Sequence, residues 1–90
     1  MVQKTVTIKN KTGLHARPAV MLVKATEKYN CDVKIQKNDI EVDAKSIMAL
    51  LMLEACKGTK LTIKCDGPDE SKALDKVVEL VDSGFENAFK

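Results

Sequence analysis

The sequence predicts an α+β fold: an open-faced two-layer β-sandwich in which a four-stranded antiparallel sheet is covered on one face by three helices. Three observations predict it. Four short runs alternate apolar and polar residues, as strands with one buried and one wet face do. Between and after them lie three stretches with helical apolar spacing or a continuous apolar run, in the order β-α-β-β-α-β-α. Ninety residues leave no room for two cores, so residues 1–90 are expected to form a single domain.

The first strand places Val6 and Ile8 on one face and Thr5, Thr7 and Lys9 on the other. The first helix begins at Ala16. Ala16, Ala19, Val20, Leu22 and Val23 form a stripe about 160° wide at ~100° per residue. Thr26 continues that face, whereas Met21 falls outside it and is expected to point away from the core. In the second strand Cys31, Val33 and Ile35 alternate with Asp32, Lys34 and Gln36; in the third, Ile40 and Val42 alternate with Glu41 and Asp43. Asn38-Asp39 between them suits a tight turn.

After Ser46 comes IMALLMLEAC, residues 47–56, apolar except for Glu54. Such a helix either sinks into the core or exposes a sticky patch around Met48, and the pattern leaves both open. The fourth strand alternates Leu61, Ile63 and Cys65 with Thr62 and Lys64. The last helix is expected from Glu70 to Ser83, with Asp69 as N-cap after Pro68 and a buried stripe of Ala73, Leu74, Val77, Val78, Leu80 and Val81. Gly84 suits the position after the C-cap, and Phe85 is placed to fold back on the final turn.

Composition narrows the function. The chain is 44% hydrophobic and 31% charged, as globular proteins are. The net charge of +2 is too small to argue for nucleic acid. Stacking aromatics are also scarce, with only Tyr29, Phe85 and Phe89 in the chain. The charge is unevenly placed: residues 1–26 contain Lys4, Lys9, Lys11, Arg17 and Lys24 and no acid. That is either a solvated basic surface or a local field favouring anions. The opening MVQKTVTIKN alternates and has neither a leader nor a spanning segment, so a cytoplasmic location without membrane insertion is expected. Cys31, Cys56 and Cys65 show no C-x-x-C spacing. They read as small buried residues rather than disulfide or zinc ligands, and no metal or cofactor is expected.

His15, the only histidine, stands in TGLHARPA, residues 12–19. Gly13 permits a turn, His15 becomes the N-cap, and Pro18 falls in the first turn, where a missing N–H costs little. The first-turn amides and the helix dipole favour an anion beside the ring. Arg17 adds charge-assisted hydrogen bonds to phosphate oxygens, although the following proline biases it away from helical dihedrals. The arrangement suits a histidine that accepts a phosphoryl group and passes it on, against the plainer reading of a structural cap. Ser46 similarly reads as an N-cap; a phosphate on it would sit at a helix start next to Lys45 and beside the apolar run.

TGLHARPA, AKSIM (residues 44–48) and KGTKLTI (residues 57–63) resemble the HPr family, the histidine-containing phosphocarriers of the bacterial phosphoenolpyruvate:sugar phosphotransferase system. The resemblance runs to about residue 84, and AKSIM is similar to the version found in low-GC Gram-positive bacteria. It implies a carrier and not an enzyme. His15 would take phosphate at Nδ1 from enzyme I and give it to the A domains of sugar permeases. Arg17 would stabilise the phosphoryl group and Pro18 would shape the helix start. Ser46 would be the target of an HPr kinase/phosphorylase, and the seryl-phosphorylated form would engage a catabolite control protein. Partners would dock on Thr12, Ala16, Met21, Ile47, Met48 and Leu51 of a monomer. A phosphorelay regulator of the same fold that does not feed sugar uptake is the alternative. The family usually carries Gly where this chain has Glu54, and Met-Ser where it has Leu51 and Met52. The tail from Phe85 to Lys90 runs slightly long.

Overall fold

The computed structural model describes residues 1–85. Four strands, β1 (Val2–Thr7), β2 (Asp32–Lys37), β3 (Ile40–Asp43) and β4 (Lys60–Asp66), form one antiparallel sheet in the order β1-β4-β2-β3. Helices α1 (Ala16–Glu27), α2 (Ile47–Met52) and α3 (Glu70–Asp82) complete the expected order. The central strand β4 pairs Val2↔Cys65 through Thr7↔Lys60 on one side and Val33↔Cys65 through Gln36↔Thr62 on the other. Alternation then fixes the faces. Val6, Val33, Ile35, Leu61, Ile63 and Cys65 are buried beneath the helices. On the opposite face Thr5 Oγ1 meets Thr62 Oγ1 at 3.2 Å and Lys64 Nζ pairs with Glu41 at 3.0 Å.

Helix α3 lies on β1, β4 and β2; α1 packs on α3 and on α2. The end of α3 is set by a Schellman cap: the Gly84 N–H donates to Val81 O at 3.0 Å and the Phe85 N–H to Leu80 O at 2.9 Å, with Gly84 at φ 67°. Phe85 is fully buried, so the final turn is sealed by the fold-back expected of it. Asp69 is the N-cap and its carbonyl accepts the Ala73 N–H at 2.9 Å, but its side chain makes no cap hydrogen bond; Oδ2 accepts the Asn30 N–H at 2.8 Å instead. The rest of the tail, including Phe89, lies outside the described residues.

Several expectations need correction. Ala16 is exposed, and the buried stripe of α1 is Pro18, Ala19, Leu22, Ala25 and Thr26. Val20 and Val23 are only half-buried, because α1 packs on α3 and α2 and those contacts select the face of Pro18, Ala19, Leu22, Ala25 and Thr26. Thr26 is buried as expected because its hydroxyl donates back to Leu22 O at 2.7 Å. Met21 is half-buried and packs against the rim of the core rather than pointing away. Ile40 is 53% exposed: it opens an edge strand directly after the turn. Of the cysteines, Cys31 and Cys65 are buried but Cys56 is exposed, because it lies in the turn after α2 and not on a core-facing element. The helix of residues 47–56 is shorter than its apolar run, ending at Met52.

Candidate functional site

The segment from Asn10 to His15 is held from below and from within. Ile8 and the turn before β4 exchange hydrogen bonds, Ile8 N–H to Thr59 O at 2.9 Å and Gly58 N–H to Ile8 O at 2.8 Å. Leu14 is buried and donates its N–H to Ala55 O at 2.8 Å. Gly13 is required here. Its φ is 65°, and a Cβ would overlap the Ala55 carbonyl oxygen and come within 2.8 Å of Cys56 Cα. Within the loop the Asn10 side-chain amide donates to Gly13 O at 2.6 Å, and the His15 N–H donates to the same oxygen at 3.0 Å.

This loop delivers His15 to the N-cap of α1 in extended geometry, φ −79° and ψ −178°. The His15 carbonyl accepts the Ala19 N–H at 2.9 Å, but the ring makes no capping hydrogen bond and the residue is exposed. Its nitrogens are not consumed by the helix it caps. Arg17 is helical in spite of the following proline, because the cap geometry before it and the buried Pro18 ring after it fix the first turn. Pro18 carries no N–H, so the amides presented at this start are those of Ala16 and Arg17. Thr12, His15, Ala16, Arg17 and Pro18 line one shallow depression. Beside it Ala16, Arg17, Val20, Met21 and Lys24 line an apolar groove along α1. No acid occurs in the first turn of α1. The arrangement can seat a small anion on the ring, with the dipole and a guanidinium to stabilise it.

Ser46 is the N-cap of α2, its Oγ accepting the Ala49 N–H at 3.3 Å. Lys45 does not sit beside it as a free cation. Its Nζ donates to Cys31 O at 2.7 Å and Tyr29 O at 3.1 Å, binding the α1–β2 connection. Of the two readings of the apolar run, the exposed patch is the one realised. Met48 and Met52 are each 73% exposed, Ile47 38% and Leu51 37%, while Leu50 alone in the helix is buried. Met52 was named from the sequence only as a departure from the family and not among the docking residues, although its i, i+4 relation to Met48 places both on one helix face. Asn10 was also missed, since nothing in its neighbours marks it. Glu54 ends this segment at φ 51°, in the left-handed region that favours glycine. Lys37 Nζ donates to Leu53 O at 3.0 Å and Glu54 O at 3.3 Å, holding that end in place.

Among the described residues no three His, Cys, Asp or Glu side chains gather as metal ligands, and no helix is long and apolar enough to cross a membrane.

The sheet with its three helices, and the exposed histidine at the start of α1, are those of a small phosphocarrier of the phosphotransferase system. The family described as "PTS HPr component phosphorylation site" matches residues 2–83. The chain belongs to the HPr family. It is 42% identical over 85 residues to phosphocarrier protein HPr of Cupriavidus necator, covering 94% of this chain and 96% of that one. It is 40% identical over 86 residues to phosphocarrier protein NPr of Escherichia coli K12, with the same coverage. The crystal structure of HPr-C-His from Thermoanaerobacter tengcongensis superposes with a TM-score of 0.91 at 39% identity, over 94% of this chain and 96% of that one. Relatives from Gram-negative bacteria stand among these, so the family is established without the narrower Gram-positive version.

Proposed function

We propose that His15 is the residue that accepts and donates the phosphoryl group. The observation that carries this is the imidazole itself: exposed, at a helix N-cap, engaged in no capping bond, and sharing a depression with Arg17 and Thr12. In the transfer, Nδ1 attacks phosphorus; the bond from phosphorus to the donor breaks, and its electron pair leaves with the donor. The proton stays on Nε2 throughout. Arg17 and the dipole of α1 stabilise the charge on the equatorial oxygens, and Pro18 holds the first turn in register.

The donor is enzyme I charged by phosphoenolpyruvate, and the acceptors are A domains of sugar permeases. Both use one surface, made of Thr12, Ala16, Met21 and the patch of Ile47, Met48 and Leu51. The groove along α1 and the four exposed apolar residues of α2 support that reading. The chain works as a monomeric single domain in the cytoplasm, with no cofactor. Ser46 is the regulatory site, phosphorylated by an HPr kinase/phosphorylase and read by a catabolite control protein. AKSIM supports it, and a phosphate there would add charge at the edge of the apolar patch.

The test is intact mass spectrometry after incubation with phosphoenolpyruvate and a bacterial enzyme I, wild type beside His15→Ala. One acid-labile phosphate on the wild type alone is expected. Phosphate on both proteins moves the acceptor elsewhere, and on neither, with an active HPr control, removes the carrier role. Transfer from the labelled chain to permease A domains separates a sugar-linked carrier from the alternative, a phosphorelay regulator of the same fold.

A further inference from the structure

The acceptor site turns on a residue that takes no part in the scheme above. The Asn10 side-chain amide donates to Gly13 O at 2.6 Å and to Thr12 Oγ1 at 3.2 Å. Its backbone carbonyl accepts the Gly13 N–H at 3.1 Å, and Gly13 O in turn accepts the His15 N–H at 3.0 Å. One side chain therefore governs the carbonyl from which His15 hangs. Its orientation is fixed: with nitrogen and oxygen exchanged, two oxygens would face each other across that 2.6 Å. In this orientation Oδ1 is buried and has no hydrogen-bond partner among the described residues. The C-cap of α3 lies close behind it: a Cβ added to Gly84 would come to 3.8 Å of Asn10 Cβ.

Thr12 receives the second hydrogen bond. With a lone pair turned to Asn10, its hydroxyl proton is directed elsewhere, and Thr12 lines the same depression as His15 and Arg17.

We propose that Asn10 is a positioning residue for phosphoryl transfer. It sets the backbone at His15 through the Gly13 carbonyl, and it turns the Thr12 hydroxyl into a donor for a phosphoryl oxygen on the ring. The inference rests on His15 being the acceptor.

Single-turnover transfer from phospho-enzyme I, at varied donor concentration and well below the melting midpoint, tests it. Asn10→Ala is expected to lower the maximal rate about tenfold and to leave the half-saturating donor concentration within about twofold, because Asn10 lies behind the docking surface. Asn10→Asp keeps the shape but loses the donor, and should match it. The amide NMR signals of Gly13 and His15 should move in both variants while that of Val33 stays. Wild-type maximal rates in both variants overturn the proposal. So does a raised half-saturating concentration at unchanged maximal rate, which would make Asn10 a docking residue. Loss of the folded spectrum in both would make it a folding residue and overturn it equally. A wild type that takes no label beside an active HPr control overturns the His15 reading itself, and that outcome shows before any Asn10 variant is made.

Discussion

At the residue scale the chain separates positions that the backbone demands from positions that chemistry demands. Gly13 is of the first kind. Gly13→Ala should cost about 2 kcal/mol or more of stability, since it meets both a positive φ and the Ala55 carbonyl; urea unfolding of the variant measures it. His15→Ala, of the second kind, should leave the melting point within a few degrees, because the ring makes no bond that holds the helix. The thiols also divide. Burial pushes Cys65 up to about 11 and raises Cys31, whereas Cys56 is exposed. Iodoacetamide at pH 8 should therefore alkylate Cys56 in the native protein, and all three thiols only after unfolding; peptide mass spectrometry locates the label. The sequence could not show this. Cys56 sits in an apolar run that looks continuous, and only the left-handed turn at Glu54 takes it out of the helix.

At the scale of elements, strands were more legible than helix faces. Alternation reports a two-fold period that one register satisfies, so β2 and β4 bury the residues it names. The stripe of α1 slipped because that helix packs on α3 and α2, and periodicity does not reveal which way a helix turns toward its neighbours. Helix α2 is the extreme case, where every position is apolar and only packing selects Leu50 for burial. Of the proposed acceptor site, the His15 N-cap and its Pro18 were legible from local chemistry. The Asn10 amide was not, because its partners are set by the loop conformation. Two predictions belong at this scale. Glu54→Gly should raise stability by about 0.5–1 kcal/mol, relieving a left-handed non-glycine residue, as measured by the urea midpoint. Met48→Asp should leave that midpoint unchanged and weaken enzyme I binding about tenfold or more, read by calorimetry, since a charge would enter an apolar contact.

At the scale of the whole molecule the sheet draws distant segments together. The N-terminal ammonium lies 3.4 Å from a Glu70 carboxylate oxygen, joining the start of β1 to the start of α3. The Gly67 N–H, and then that ammonium, hold the Glu70 carboxyl below its ordinary value of 4.5, against the opposing effect of burial. A depressed carboxyl stabilises the folded state above its ordinary value and loses that contribution as pH falls through the lowered one. Melting points should therefore drop below about pH 4.5 more steeply in the wild type than in Glu70→Gln. The same register has a consequence in time. Val2 pairs with Cys65, and Val6 with Leu61, so the first strand made is completed by almost the last. On a ribosome, β1 must wait unpartnered through the synthesis of both hairpin strands and α2. Closure of the sheet, and with it the seat for α3, therefore comes only after β4 has been made.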